Sequence, residues 1–140
     1  MNSTFVTLKT GITLDGKIAT NSLDSKWITS EESRIDVHHL RNENMAILVG
    51  VNTVIKDDPE LTVRIPNGRN PIRIILDSNL RIPLDSKVII DKLTETWVFT
   101  SQNVEQDKEK KLLSNGIKVI RTSGSKQVDI NEVVGILGSR

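Results

Sequence analysis

The chain has 140 residues, of which 36% are hydrophobic and 26% charged, a composition typical of one globular domain. Its 19 Lys and Arg residues nearly balance 18 Asp and Glu residues, so the formal net charge of +1 gives no support to nucleic acid or an anionic membrane as a partner. Cysteine is absent, which excludes disulfides, thiolate-bound zinc, iron–sulfur clusters and cysteine nucleophiles.

The amino terminus does not resemble an export signal. It has no apolar segment followed by a small-residue cleavage site. No apolar run in the sequence approaches the roughly 20 residues that a membrane-spanning helix needs. We therefore expect a cytoplasmic protein without a membrane partner.

The first 44 residues predict a strand, a turn and a helix. Residues 5–10 alternate apolar and polar side chains, as a strand does, and Asp15-Gly16 marks a turn. Thr29 followed three residues later by Glu32 fits a capping box. The helix is therefore predicted to begin at residue 29 or 30 and to end near Asn44.

Four apolar runs predict the strands of one sheet. The first, at residues 45–50, has no polar alternation and is typical of a strand buried on both faces. Residues 72–77, 96–100 and 117–122 repeat the pattern. The Arg and Lys side chains inside these later runs favour positions nearer an edge of the sheet.

Two further segments predict helices. Residues 105–115 are charged and are followed by Gly116, a typical residue after a helix C-terminus. Residues 129–137 place their apolar side chains on one helical face. The alternation of strands and helices predicts an α/β fold, with a mostly parallel central sheet, flanking helices and right-handed crossovers.

The ends of the predicted strands are candidates for a ligand site, because ligands of open α/β sheets bind beyond the carboxyl ends of the strands. Residues 50–53, 77–79 and 100–102 follow three of the runs and carry small hydroxyl, amide and carboxylate side chains. Such residues are also common in ordinary turns. Three such segments together favour a crevice for a nucleotide or phosphate.

Three basic residues are candidates for binding an anion. Arg41 lies near the end of the first predicted helix, and Arg64 follows a turn-like segment, where its guanidinium is suited to holding a phosphate. Lys9 lies among apolar neighbours of the first predicted strand, so its amine must either reach solvent or meet an anion.

The acidic pair and the histidine pair have simpler interpretations. Asp57 and Asp58 are suited to dividing acid and base work, yet they precede a proline, as in an ordinary turn. His38 and His39 are adjacent, so on a helix they cannot both face one ion. We therefore predict no metal site.

Five blocks of this sequence resemble one enzyme family. Their order and spacing are similar to those of the reductase domain of riboflavin biosynthesis, the 5-amino-6-(5-phosphoribosylamino)uracil reductase. The resemblance implies a dihydrofolate reductase-like fold and an NADPH-dependent reduction that opens the ribosyl group of the substrate into a ribityl chain. The blocks are residues 6–17, 25–30, 36–41, 46–54 and 57–64, and the match continues through residues 71–78.

The resemblance also implies roles for individual residues. Those that match the family's contacts with NADPH are Gly11, Trp27, Thr53, Asp57 and Ser78. Those that match its substrate contacts are Ser25, Arg41, Leu61 and Arg64, with the two arginines holding the substrate phosphate. Lys9 and Asp57 are expected nearest the transferred hydride, where Lys9 orients the ribose hydroxyls and Asp57 assists proton movement.

The chain departs from the family pattern in two ways. The family's reductase is often fused to a zinc deaminase, and without cysteine this chain is excluded from deamination. The family also continues into a further strand and a Glu-Gly-Gly loop that binds the cofactor pyrophosphate, whereas this sequence ends at Arg140. We therefore expect residues 1–140 to be a single reductase domain that is truncated at its C-terminus.

Two alternatives remain open at this point. One is a reductase of the same fold that acts on another phosphoribosyl or pterin compound, and the other is a non-catalytic truncated fragment. For the reductase we expect a homodimer whose ligands are NADPH and a small phosphoribosyl-pyrimidine, with no nucleic-acid partner.

Overall fold

The computed structural model describes residues 4–17 and 30–139. Within these ranges no helix is long and apolar enough to cross a membrane. Helices and strands alternate along the chain in the order α1 (Glu31–Glu43), β1 (Ala46–Gly50), α2 (Val51–Asp57), β2 (Ile72–Leu76), α3 (Lys87–Ile90), β3 (Thr96–Thr100), α4 (Gln106–Ser114), β4 (Lys118–Arg121) and α5 (Ile130–Gly138).

The four strands form one parallel sheet in the order β1-β2-β3-β4. Ala46 of β1 pairs with Ile72 of β2, and Trp97 of β3 pairs with Lys118 of β4. The predicted α/β fold with a parallel central sheet and flanking helices is confirmed. Because all four strands run in the same direction, the loops that follow them meet at one edge of the sheet.

The core lies on both faces of the sheet. On one face, Ile75 and Val98 of the central strands belong to a buried cluster with residues of α2, α3 and α4. On the other face, Ile74 and Phe99 pack with Val133 of α5. Successive strand residues point to opposite faces, so the two central strands need apolar side chains at nearly every position.

The predicted helix boundaries are close to the observed ones. α1 has Ser30 as its N-cap, whose side chain accepts a hydrogen bond from the Ser33 amide at 3.2 Å. Its C-cap is Asn44, whose side-chain amide donates to the Leu40 carbonyl at 2.7 Å. Gly116 follows α4 with a φ of +76°, the left-handed conformation that favours glycine.

The strand predicted for residues 5–10 is wrong, because this segment pairs with no strand in the described part of the chain. Phe5 and Leu8 are 88% and 86% exposed. Alternation of apolar and polar residues makes a strand only where a neighbouring strand completes its hydrogen bonds. The turn at Asp15-Gly16 is confirmed, since the Gly16 amide donates to the Thr13 carbonyl at 2.9 Å.

The short helices α2 and α3 were not predicted. Residues 50–53 were considered only as the segment that follows a strand, yet α2 begins at Val51 and buries Val51 and Val54. These two residues are three apart and share one helical face. α3 has only four residues, too short for a helical period to be visible in the sequence.

The edge positions of the strands also differ from expectation. β1 was predicted to be buried on both faces, but it is an outer strand of the described sheet, and Leu48 is 42% exposed. β4 is the other outer strand, as its Lys118 indicates, and the Lys118 amine lies 4.0 Å from the centre of the Trp97 ring.

Arg73 explains why β2 is central despite its charged residue. Its side chain is 0% exposed, and its two terminal nitrogens donate to the two carboxylate oxygens of Asp91 at 2.7 and 2.6 Å. Such a two-point contact allows a charge inside the fold, because it replaces water with fixed partners. The sequence shows the arginine but not the distant carboxylate that pairs with it.

We predict that Asp91→Asn lowers the free energy of unfolding by about 3 kcal/mol, because it leaves the Arg73 charge buried and unpaired. Urea denaturation measures this change. Asp85→Asn, at an exposed position, is the matched control. The double variant Arg73→Met/Asp91→Leu, which removes both charges, should be more stable than Asp91→Asn; the opposite order would contradict the explanation.

Candidate active site

Ser78 joins the loops that follow three of the strands. Its carbonyl oxygen accepts hydrogen bonds from the Ser101 hydroxyl at 2.7 Å and the Thr100 hydroxyl at 3.2 Å, both at the end of β3. Its own hydroxyl oxygen accepts from the Val128 amide at 3.1 Å, in the loop after β4. Ser78 therefore links the loops after β2, β3 and β4 at the edge of the sheet where ligands are expected.

Asp77 shapes the loop after β2. Its buried carboxylate accepts a hydrogen bond from the Ile82 amide at 2.8 Å, which folds residues 77–82 back on themselves. Within this loop Leu80 is buried and has a φ of +50°, which is uncommon for a residue with a side chain. Fixing Leu80 and Ile82 inside leaves Asn79 and Arg81 exposed at the edge of the sheet.

A cleft of about 460 Å³ opens beside these loops, and we call it the strand-end cleft. Its two charged lining residues, Arg81 and Lys126, are both cations. Nη2 of Arg81 donates to Oδ1 of Asn52 at 2.6 Å. The lining residues are Gly50, Val51, Asn52, Leu76, Ser78, Asn79, Arg81, Lys126 and Gln127.

A second cleft, of about 200 Å³, lies between the end of α1, the end of α2 and the start of α3, and we call it the arginine cleft. It contains both arginines that the sequence analysis singled out, together with three acidic residues. Its lining residues are Arg41, Asp57, Asp58, Pro59, Glu60, Leu61, Thr62, Arg64 and Lys87.

The backbone of the arginine cleft is unusual. Asp58 and Leu61 have φ angles of 39° and 54°, in the left-handed region that side chains rarely adopt. Asp58 ends α2, and its carboxylate accepts a hydrogen bond from the Lys87 amide at 2.8 Å. Leu61 is buried. These contacts hold the strained segment and fix the walls of the cleft.

Arg41 reaches the arginine cleft from the last turn of α1. Its Nη1 donates to the Thr62 carbonyl at 3.0 Å, whereas its Nε is buried and has no hydrogen-bond partner among the described residues. Burial lowers the pKa of Arg41 from its ordinary value, and the nearby charge of Arg64 lowers it further. A bound anion would offset both positive charges.

His38 supports the same cleft from the preceding turn of α1. Its Nδ1 accepts a hydrogen bond from the Arg64 backbone amide at 3.2 Å. Burial lowers the pKa of His38, and the charges of Arg41 and Arg64 lower it further. The neutral ring is therefore favoured, and only an unprotonated Nδ1 is able to accept this bond. His38 thus positions the segment that carries Arg64.

The structure brings four of the predicted site residues together in the arginine cleft, namely Arg41, Asp57, Leu61 and Arg64. Ser78 lies in the strand-end cleft instead. Asp57 was expected to touch both cofactor and hydride, and it shares a cleft with the arginines rather than with Ser78.

The other predicted site residues lie elsewhere. Thr53 is exposed on α2 and is not among the residues that line either cleft. Lys9 and Gly11 belong to residues 4–17 and also line neither cleft. Ser25 and Trp27 lie outside the described residues. Within the described ranges, no group of three or more His, Asp or Glu side chains is placed to hold a metal ion.

The two cations of the strand-end cleft were not predicted from the sequence. Arg81 follows Ser78 by three residues, so its nearness to a predicted strand end was a usable signal. Lys126 lies in the loop between β4 and α5, which was not considered as a strand end. The two side chains line one cleft only after folding has brought their loops together.

The model of the protein family described as the RibD C-terminal domain matches residues 4–140. The chain belongs to this family. The resemblance carried by the five sequence blocks is thereby confirmed. The chain is also 51% identical over 121 residues to the riboflavin biosynthesis protein RibD of Aquifex aeolicus (strain VF5), covering 86% of this chain and 33% of that protein. For the RibD protein of Bacillus amyloliquefaciens, the identity is 43% over 134 residues, covering 95% and 36%.

Solved structures agree with this family assignment. A Thermotoga maritima crystal structure, described as a diaminohydroxyphosphoribosylaminopyrimidine deaminase/5-amino-6-(5-phosphoribosylamino)uracil reductase, is 35% identical with a TM-score of 0.71, covering 94% of this chain and 34% of that one. Acinetobacter baumannii RibD is 32% identical with a TM-score of 0.66, covering 81% and 31%. The chain spans about a third of the length of the curated relatives it matches.

We predict that His38 makes the stability of this domain depend on pH. Because the folded protein lowers the pKa of His38 below the ordinary value of 6.5, the unfolded chain takes up the proton first as the pH falls. The stabilisation is complete above about pH 6.5 and is lost as the pH falls further.

Chemical denaturation at a series of pH values tests this. The His38→Gln variant should lose less stability than the wild type as the solution is acidified. The neighbouring, exposed His39 provides a control, since His39→Gln should keep the pH dependence of the wild type. An identical slope for His38→Gln and the wild type would disprove the role given to His38.

Proposed function

We propose that the chain acts in riboflavin biosynthesis as an NADPH-dependent reductase, which converts the ribosyl group of 5-amino-6-(5-phosphoribosylamino)uracil to the ribityl form. The observation that carries this proposal is the arginine cleft, where a half-buried Arg41 with an unpartnered Nε lies beside Arg64 and Asp57. Membership of the RibD C-terminal domain family supports it. So does the reductase activity named for the Thermotoga relative.

The arginine cleft is suited to the phosphate end of the substrate. Arg41 uses Nη1 for the Thr62 carbonyl, so part of its Nη donors remains for a ligand, and a planar guanidinium is able to contact two phosphate oxygens at once. The second cation, Arg64, is 3.8 Å from Glu60, a long contact between partly exposed groups that costs little to exchange for a phosphate.

Asp57 is the carboxylate of this cleft that is available for chemistry. Asp58 accepts the Lys87 amide, and Glu60 faces Arg64 and the Thr62 hydroxyl. The carboxylate of Asp57 forms no hydrogen bond or ion pair with any described residue. We propose that it moves a proton as the ribose ring opens, a role that requires reach to the ring oxygen or a hydroxyl of the sugar.

The strand-end cleft fits the polar part of a pyridine nucleotide. Its lining combines amide, hydroxyl and cationic donors with no carboxylate among the described residues, a set that suits phosphates and ribose hydroxyls. Ser78 uses its hydroxyl oxygen as an acceptor for Val128, which leaves the hydroxyl proton free to donate. The bound nucleotide would supply the hydride, and the chain's own residues would contribute binding and positioning.

Several sequence-based expectations remain proposals of this function. Lys9 as the group that orients the ribose hydroxyls, and Gly11, Thr53, Trp27 and Ser25 as ligand contacts, rest on the family resemblance alone. The expected homodimer would be tested by light scattering. The expected C-terminal truncation would be tested by comparing this chain with a version extended by the family's further strand and Glu-Gly-Gly loop.

The decisive experiment follows NADPH oxidation with the phosphoribosylaminouracil substrate, for this chain and for the extended version. Turnover by the extended protein supports the assignment, and its absence there would reject it. Turnover by the extended protein but not by this chain would identify the chain as a fragment that needs the further segment.

A different substrate is the main alternative. The two arginines would bind the phosphate of any phosphoribosyl compound. The kcat/KM values of a panel of such compounds would therefore identify the preferred substrate. A pterin without a phosphate gains nothing from Arg41 and Arg64. Preference for a pterin would therefore contradict the role of the arginine cleft.

We predict that Arg41→Ala and Arg64→Ala each raise the KM of the phosphorylated substrate about 10- to 100-fold, the worth of a charge-assisted contact. The KM of NADPH should change little. Arg69→Ala, at an exposed arginine near the same loop, serves as the control, and circular dichroism checks folding. An unchanged substrate KM in both variants would remove the phosphate site.

We predict that Asp57→Asn lowers kcat by about 100-fold or more, the usual contribution of a positioned acid or base, while substrate KM stays nearly constant. The amide has the same shape but cannot accept a proton. Asp85→Asn, another exposed aspartate, is the matched control. A loss confined to KM would show that Asp57 binds the substrate without moving a proton.

A further inference from the structure

We infer that Arg81 and Lys126 select a phosphorylated pyridine nucleotide over its unphosphorylated counterpart by contacting the extra phosphate on the ribose. The inference rests on the proposed function, because it assigns the nucleotide to the strand-end cleft. It goes further by naming the residues that give the preference for NADPH.

The charge of the strand-end cleft is the first argument. Arg81 and Lys126 line it together, and the other described lining residues are uncharged. Neither cation forms an ion pair with any described carboxylate. Two unpaired cations in one concave site attract a dianion such as a phosphate monoester far more strongly than a neutral hydroxyl.

The placement of Arg81 is the second argument. It stands between the buried residues Leu80 and Ile82, in the loop that the Asp77 carboxylate folds back, so its backbone position is fixed. Its Nη2 is held by Asn52 at 2.6 Å, which orients the planar guanidinium. The remaining N–H groups are left to contact two oxygens of one phosphate.

Lys126 reaches the same cleft from a different loop. That loop is anchored at both ends, because the Ser123 amide donates to Glu132 at 2.8 Å and the Val128 amide donates to Ser78 at 3.1 Å. Gly124 is packed so closely that a Cβ there would lie 1.9 Å from the Gln127 carbonyl oxygen. The loop conformation therefore depends on a glycine, and it carries Lys126 to the cleft that Arg81 lines.

The absence of an acidic residue from the described lining is the third argument. Sites for the unphosphorylated nucleotide commonly use a carboxylate to accept the ribose 2′-hydroxyl, whereas a nearby arginine accommodates the 2′-phosphate. Here the described lining has an arginine and a lysine and no carboxylate. The substrate phosphate has its own cations in the arginine cleft. A second phosphate-binding group is therefore best explained by the cofactor.

The test measures binding by isothermal titration calorimetry, using this chain with adenosine 2′,5′-bisphosphate and with 5′-AMP as probes. The wild type should bind the bisphosphate at least about 10-fold more tightly. Arg81→Ala and Lys126→Ala should each weaken bisphosphate binding about 10-fold, the worth of one charged contact, and leave 5′-AMP binding unchanged. Arg81→Lys keeps the charge but loses the planar set of guanidinium donors. It should therefore retain only part of the preference for the bisphosphate over 5′-AMP.

Exposed residues that line neither cleft provide matched controls, and Arg69→Ala and Lys110→Ala should bind both probes as the wild type does. Equal weakening of both probes by the test variants, or no weakening, would overturn the inference and leave the proposed function standing. A rise in substrate KM without a change in bisphosphate binding would also overturn it, because the pair would then bind the substrate. A wild type that binds neither probe would overturn the inference together with the cofactor part of the proposed function.

Discussion

The site depends on the hydrogen bonds of Ser78. Its carbonyl holds the end of β3 and its hydroxyl oxygen holds the loop before α5, so the residues after three parallel strands keep one arrangement. Loops at the carboxyl ends of strands are otherwise the most variable part of an α/β fold. Here hydrogen bonds join them into one rim, which carries Arg81 and Lys126.

Positively charged side chains occur in two kinds of surroundings in this protein, with and without a carboxylate partner. Inside the fold, the charge of Arg73 is paired with the Asp91 carboxylate through both terminal nitrogens, although the Arg73 Nε has no hydrogen-bond partner among the described residues. At the clefts, Arg41, Arg81 and Lys126 form no ion pair with any described carboxylate. The net charge of +1 therefore does not reveal that the described lining of the strand-end cleft has two cations and no carboxylate.

Much of the fold was predictable because the central strands are buried on both faces, and continuous apolar runs such as residues 96–100 mark them directly. Contacts between distant residues were not predictable. The sequence of β2 suggested an edge strand because of Arg73, whose partner Asp91 is brought to it only by folding. Residues 5–10 alternate apolar and polar side chains as a strand does, yet they pair with no strand in the described part of the chain. In the site, Arg41 and Arg64 were found from residue type and resemblance. Lys126 was missed because only the folded loops bring it to Ser78 and Arg81.

The helix α2 sets the distance between the two clefts. Asn52 near its start lines the strand-end cleft, and Asp57 at its end lines the arginine cleft. Five residues of helix span about 8 Å, and each residue turns the chain by about 100°. The helix thus acts as a spacer of fixed length and angle between the place proposed for the nucleotide and the place proposed for the sugar phosphate. Deleting a single residue from it would both shorten this span and rotate Asp57 out of its cleft, so the length of α2 is as constrained as its chemistry.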